Sequence, residues 1–180
     1  MGSVMWAFSD ESERADTMYF GVLLVPASRV PPARRALRGL LLPGQRRVHT
    51  AKESPRRRRE LLDVVAALDV QAVVLHVRRP LGLHRVTARQ MLVERACEEV
   101  SRSSVVSWQL DDQEPVQAAR DRHDIDGHLH RTGESFVYDH RPSASEPLLW
   151  AIDAVLWAVG TGGEWRRRVS GIVDVRRIEP

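Results

Sequence analysis

Asp153 lies inside an almost wholly apolar run, residues 147–159, that has the length of a helix. A carboxylate that is buried without a partner costs roughly several kcal/mol, or its pKa rises until it is protonated. Leu149 and Leu156 share the face of Asp153 at helical spacing, which argues against simple exposure to solvent. The sequence therefore predicts a partner for Asp153: a cation, a hydrogen-bond network or a metal ion. An ion pair with a buried arginine is the plainest alternative.

A second unusual carboxylate, Asp10, lies near the other end of the chain. Residues 4–8 are apolar and indicate a buried strand, which leads directly into Ser9-Asp10-Glu11-Ser12. In the simplest interpretation Asp10 makes a turn or capping hydrogen bond after the strand. The alternative is that Asp10 and Asp153 belong to one site.

Length and composition favour one domain, residues 1–180, in a cytoplasmic protein. The hydrophobic fraction of 43% is ordinary for a globular chain. The sequence has no apolar run long enough to span a membrane and no signal-peptide pattern. Cys97 is the only cysteine, so neither a disulfide framework nor a thiolate zinc site is expected.

The basic residues are almost all arginine. Lys52 is the single lysine, and the net charge is +3 with a predicted pI of 9.7. Arginine binds phosphate in a bidentate manner and stacks on bases. This composition permits binding to nucleic acid without requiring it, and it does not distinguish RNA from DNA.

The order of apolar segments predicts an α/β fold with an N-terminal hairpin followed by alternating helices and strands. The runs in both hairpin strands, 4–8 and 18–25, are continuous, which is typical of strands covered on both faces. Further strands are expected at 46–50, 70–77, 104–110, 136–140 and, less regularly, 171–175, and helices at 33–41, 54–69, 86–100, 145–159 and 164–169.

Residues 113–133 are polar, and a helix can begin there at Pro115. His128 and His130 in this segment suggest a metal pair. Without cysteine ligands, we expect a mobile loop rather than a zinc site.

Acidic residues follow a pattern that suits metal-dependent phosphoryl chemistry. They occur at the end of the first strand, at the end of a later strand (Asp111 and Asp112) and on an apolar helix near the C-terminus. Mg²⁺ prefers carboxylate oxygens, and a pair of such ions about 4 Å apart stabilises the attacking and leaving oxygens of a phosphoryl transfer. No phosphate-binding glycine loop follows a strand, which argues against the further alternative of a small-molecule enzyme of α/β type.

Three motifs resemble one known family. These are residues 8–12 with their Asp-Glu-Ser sequence, residues 49–53, and residues 147–158 with the spacing Leu-Leu-x-x-x-Asp-x-x-x-Trp. Together they resemble the domain-of-unknown-function family 3800 of the ribonuclease H-like superfamily. The resemblance implies a ribonuclease H-like mixed sheet with flanking helices, and Mg²⁺- or Mn²⁺-dependent cleavage of nucleic acid.

The resemblance also implies site residues. Asp10 and Asp153 match the acids of the first strand and the last helix, and both would be catalytic metal ligands. The middle acid is open: Asp111 or Asp112 completes the site, whereas a register that places Gln109 there leaves one ligand missing. We favour Asp111.

Residues 49–56 supply further candidates. Glu53 is a possible additional catalytic acid, and His49, Lys52 and Arg56 are candidates for substrate binding. The alternative is an ordinary solvated pair at Lys52-Glu53, and a solvated helix face at residues 56–59.

Two functions from different classes remain. The first is a metal-dependent nuclease. The second is a non-catalytic ribonuclease H-like module that binds nucleic acid or a protein partner, and Gln109 is the feature that supports it. Several tryptophans near the C-terminus also leave a homodimer open.

Overall fold

A long antiparallel hairpin forms the centre of the sheet in the computed structural model, which describes residues 3–79 and 83–180. The strands are β1 (Met5–Arg14), β2 (Thr17–Pro26), β3 (Gln71–Arg78), β4 (Val105–Asp111), β5 (Val137–Arg141) and β6 (Val173–Arg177). The helices are α1 (Val30–Arg38), α2 (Pro55–Ala67), α3 (Arg85–Arg102), α4 (Pro115–Thr132), α5 (Pro147–Thr161) and α6 (Gly163–Val169).

The strand order across the sheet is β5-β4-β1-β2-β3-β6. The first three strands form an antiparallel meander. The β4 and β5 strands continue parallel to β1, and β6 runs parallel to β3. The mixed α/β sheet with an N-terminal hairpin is thus the predicted architecture.

Both faces of the sheet are covered, which explains the continuous apolar runs of the hairpin. Phe8 and Leu23 pack on one face in a core that includes α1, α2 and α5. Ala7 and Phe20 pack on the other face with α3 and Ile125 of α4. Successive residues of a strand point to opposite faces, so neither strand can alternate apolar with polar residues.

Most of the polar segment 113–133 forms α4, which begins at Pro115 as the sequence allowed, so the mobile loop expected around His128 and His130 is wrong. Few apolar residues lie on the inward face of this helix: its buried apolar residues are Ala118 and Ile125. His128 is also buried, with its Nε2 atom 2.9 Å from the hydroxyl oxygen of Ser101. Because two inward positions are polar, the helical period was weak in the sequence.

Local predictions differ from the structure at three other places. Residues 46–50 form no strand, and a single 3₁₀ turn, Thr50–Lys52, follows them. The predicted helix 145–159 begins instead at Pro147, and Glu146 caps it, since its carboxylate accepts a hydrogen bond from the Leu148 amide. β1 extends six residues past the predicted end at Phe8, so Asp10 lies inside the strand.

The C-terminal tryptophans pack within the chain. Trp150 is 2% exposed, and the rings of Trp157 and Trp165 contact each other edge to face at 5.0 Å between centroids. They therefore give no argument for a homodimer. No helix within residues 3–79 and 83–180 is both long and apolar enough to cross a membrane.

Candidate metal centre

A cavity of about 190 Å³ lies where β1, β4 and α5 meet. The charged residues Asp10, Arg47, Asp111 and Asp153 line it, and Glu11 also borders it, although the Glu11 carboxylate pairs with Arg89 on the other face of the sheet. Three predicted acids from distant parts of the sequence thus share one cavity, which we call the acid pocket.

Strand register explains why Asp10 and Asp111 are neighbours. Phe8 pairs with Gln109 and Ser9 with Leu110 in the parallel ladder between β1 and β4. One step further along both strands, Asp10 lies beside Asp111. Since side chains alternate between faces, both acids are on the Phe8 face of the sheet, the face that α5 covers.

Gly21 allows α5 to lie close to the sheet beside the acids. This glycine pairs with Asp10 in the hairpin. A Cβ atom at Gly21 would lie 2.6 Å from Cδ1 of Ile152, the residue before Asp153. The missing side chain therefore lets the helix approach closely enough to present Asp153 to the pocket.

Electrostatics within the pocket disfavour three free carboxylates. Burial raises the pKa of Asp10 well above its usual 3.8, and the charges of Asp111 and Asp153 raise it further. Burial also raises the pKa of Asp111, with a smaller contribution from Asp153. Burial is the larger cause of both shifts, and the charges of the neighbouring carboxylates add to it.

Asp153 has a different environment because the 3₁₀ turn donates to it. Its Oδ2 atom accepts hydrogen bonds from the Thr50 amide at 2.9 Å and the Thr50 hydroxyl at 2.8 Å, and His49 Nδ1 lies 3.5 Å away. Burial opposes ionisation, but the bonds from His49 and Thr50 lower the pKa of Asp153 below 3.8. The predicted partner of Asp153 is thus a hydrogen-bond network.

Arg47 is a pocket residue that the sequence did not single out. Its guanidinium donates to the Ser143 hydroxyl, and its charge offsets part of the rise that burial causes in the pKa of Asp10 and Asp111. Arg47 sits in an irregular segment beside Arg46, and no spacing distinguishes the two in the sequence.

Other candidates lie outside the acid pocket. Buried Glu53 accepts hydrogen bonds from Gln45 at 2.7 Å and Arg57 at 3.4 Å, and so serves a local network. Lys52 and Arg56 are exposed, one on the 3₁₀ turn and one in the first turn of α2. Asp112 is exposed and lines an adjoining cavity with Arg47.

The donor chemistry of the pocket suits a hard divalent cation. Within residues 3–79 and 83–180, no three His, Cys, Asp or Glu side chains are grouped closely enough to hold one ion already. The carboxylates of Asp10, Asp111 and Asp153 nevertheless face one cavity, where burial and then the charges of Asp111 and Asp153 raise the pKa of Asp10. Oxygen-only donors with that charge are what Mg²⁺ and Mn²⁺ bind.

No family model matches this chain, so membership of domain-of-unknown-function family 3800 stays a prediction. No curated protein matches either.

Among solved structures, the chain is similar to the ribonuclease HII described as part of the PCNA:RNase HII complex from Archaeoglobus fulgidus. The superposition has a TM-score of 0.58 at 17% identity and covers 93% of this chain and 76% of that one. At this level of identity the similarity is one of fold. The chain therefore has a ribonuclease H-like fold.

Proposed function

We propose that this protein is a Mg²⁺- or Mn²⁺-dependent nuclease whose metal ligands are Asp10, Asp111 and Asp153. The observation that carries the proposal is the convergence of these acids in one cavity, where burial raises the pKa of Asp10 and the charges of Asp111 and Asp153 raise it further. A site with this charge gains stability when a cation enters it.

Each pocket residue has a role in this proposal. Asp10 and Asp111 supply anionic oxygens from adjacent strands, and Thr50 orients Asp153 through two hydrogen bonds to Oδ2. A bound divalent cation supplies Lewis-acid polarisation of the phosphate and lowers the pKa of water. The exposed guanidinium of Arg47 attracts the phosphate to a cavity that would otherwise repel it.

Nucleic acid is the proposed substrate. The solved neighbour is by its title a ribonuclease HII, and arginine supplies nearly all the basic charge of this chain. The proposal covers both RNA and DNA, and the experiment below tests both.

The test replaces Asp10 or Asp153 by asparagine and measures cleavage of labelled RNA, DNA and RNA–DNA hybrid with Mg²⁺ or Mn²⁺. Each variant is expected to lose cleavage below detection and to lose Mn²⁺ binding in calorimetry, because one anionic ligand is removed while the side-chain shape is kept. Asp112→Asn is the matched control, since it removes an exposed acid next to the site. Cleavage at wild-type rate in both pocket variants would exclude this mechanism.

One observation favours the alternative of a non-catalytic module that binds nucleic acid or a protein partner. Asp153 is already stabilised as an anion by Thr50 and His49, without a cation. Under that alternative, the wild-type protein binds nucleic acid without cleaving it, and Mn²⁺ binding does not depend on Asp10 or Asp153.

A further inference from the structure

Two arginines pack against Trp157 next to the acid pocket. The guanidinium carbon of Arg58 lies 4.7 Å from the centre of the indole ring, and that of Arg14 lies 5.8 Å from it. We call Arg14, Arg58 and Trp157 the arginine–tryptophan ledge. Cation–π contacts of this kind hold guanidinium groups in place on an aromatic face.

Hydrogen bonds further fix both arginines. Arg58 donates from Nε to the Thr50 carbonyl at 2.9 Å and from Nη2 to the Ala51 carbonyl at 2.8 Å. Arg14 donates to the Trp157 carbonyl at 3.4 Å. A Cβ atom at Gly160 would lie 2.7 Å from Nε of Arg14, so the glycine leaves the space that this side chain fills.

Neither ledge arginine has a carboxylate partner within residues 3–79 and 83–180. The arginines beside Arg58 on α2 differ in this respect. Arg57 pairs with Glu53 and Glu60, and Arg59 pairs with Glu164 at 3.1 Å. The ledge therefore presents two positive charges that are held in place and not neutralised, which is what an anionic ligand requires.

The ledge lies next to the acid pocket, towards the C-terminal ends of α5 and β1. Trp157 follows Asp153 by four residues on α5, which is about 6 Å along a helix axis. Arg14 follows Asp10 by four residues on β1, which is about 13 Å along a strand and on the same face of the sheet. Thr50 joins the two sites directly, since it donates to Asp153 and its carbonyl accepts from Arg58.

We propose that the ledge binds the phosphodiester backbone of the nucleic-acid strand whose cleaved phosphate lies at the acid pocket. This inference rests on the proposed nuclease function and adds the path that the strand takes. Two guanidinium groups already lie against the Trp157 ring, so the ledge contacts the strand through charge rather than by stacking on bases. Contacts of this kind position a substrate without reading its sequence.

The test measures binding of a fluorescein-labelled oligonucleotide by anisotropy over a range of salt concentrations, with Arg14→Gln as the first variant. Arg14 does not touch the turn that holds Asp153, so Mn²⁺ affinity is expected to stay at the wild-type value. Binding of the oligonucleotide is expected to weaken roughly fivefold to tenfold near 0.1 M salt, and the salt slope to fall by about one, as for one lost phosphate contact. Arg59→Gln is the matched control because its charge is already paired, and a change of less than about twofold is expected.

A second variant, which keeps the positive charge of the ledge, separates loss of a phosphate contact from loss of folding. Arg58→Lys keeps the charge but loses the planar fork, so it should bind more weakly than wild type with an unchanged salt slope. Wild-type affinity and salt slope in Arg14→Gln, with cleavage intact, would overturn the ledge and leave the nuclease proposal standing. No binding of RNA or DNA by the wild-type protein would overturn both.

Discussion

At the scale of single residues, a buried ionic network lies on the face of the sheet opposite to the acid pocket. Asp121 of α4 accepts hydrogen bonds from Arg89 at 2.7 Å, Gln117 at 3.0 Å and His140 at 3.2 Å. Arg89 also pairs with Glu11, the residue after Asp10. The network therefore ties α3 and α4 to the part of β1 that carries the first acid of the site.

This network should stabilise the fold in a pH-dependent manner. Burial opposes ionisation of Asp121, yet the bonds from His140 and Arg89 lower its pKa to about 2. The unfolded pKa is about 3.9, so the stabilisation is complete above pH 4 and is lost as the pH falls towards 2. Asp121→Asn should lower the free energy of unfolding at pH 7 by about 3 kcal/mol, because buried Arg89 then keeps only Glu11 as a carboxylate partner.

Urea denaturation at several pH values measures this effect. The difference between wild type and Asp121→Asn should shrink as the pH falls from about 4 to 2. Asp126→Asn, an exposed acid on the same helix, is the control. A difference that stays constant with pH would show that the charge of Asp121 contributes nothing.

Residues of the site differed in how well the sequence predicted them. Asp153 was singled out because a charged residue within an apolar helical run can be recognised from the sequence alone. Thr50, which donates to it, lies 103 positions away in the chain and has no unusual local pattern. Arg47 was missed for the same reason, and Glu53 was included only because it lies near His49 in sequence.

At the scale of helices and strands, the accuracy of prediction followed the strength of the periodic pattern. The apolar hairpin and α5 were predicted because their burial leaves a continuous signal. For α4 the sequence indicated only that a helix could begin at Pro115, and a loop was expected around His128, because Asp121 and His128 occupy two of its four buried positions. Polar side chains that are satisfied by long-range partners therefore hide an element from sequence reasoning.

The contact of α5 with the hairpin makes Gly21 a decisive position for the site. Gly21→Ala should push α5 away from β2, because the new Cβ would meet Ile152 at 2.6 Å. We expect a loss of about 1–3 kcal/mol in unfolding free energy from overpacking and weaker Mn²⁺ binding as Asp153 moves from Asp10. Gly171→Ala is the control, since a Cβ there has no neighbour within 4 Å and the backbone φ is not positive.

Thermal denaturation and Mn²⁺ calorimetry on both glycine variants separate these effects. Equal stability and equal Mn²⁺ affinity in Gly21→Ala and wild type would mean that α5 does not depend on this close approach. A stability loss without a change in Mn²⁺ affinity would mean that the helix repacks without moving Asp153.

At the scale of the whole molecule, the hairpin contributes to both core layers, so the two layers share one sheet. The acid pocket lies at the centre of this arrangement, between the middle strands and α5. Burying mutually repelling carboxylates there costs folding free energy, as the raised pKa of Asp10 indicates. We therefore expect the acid pocket to lower the free energy of unfolding, as functional sites commonly do.

Removal of one acid and addition of a cation should both relieve this cost. Asp10→Asn should raise the Tm in the presence of a chelator, because the repulsion from Asp111 and Asp153 on position 10 disappears. Mn²⁺ should raise the Tm of the wild-type protein, with about 2.7 kcal/mol of stabilisation at a hundredfold excess over Kd, and should have little effect on Asp10→Asn. Asp112→Asn should respond to Mn²⁺ like wild type. A wild-type Tm that does not change with Mn²⁺, together with a lower Tm for Asp10→Asn in chelator, would mean that the three acids form a structural hydrogen-bonding cluster with no vacancy for a cation.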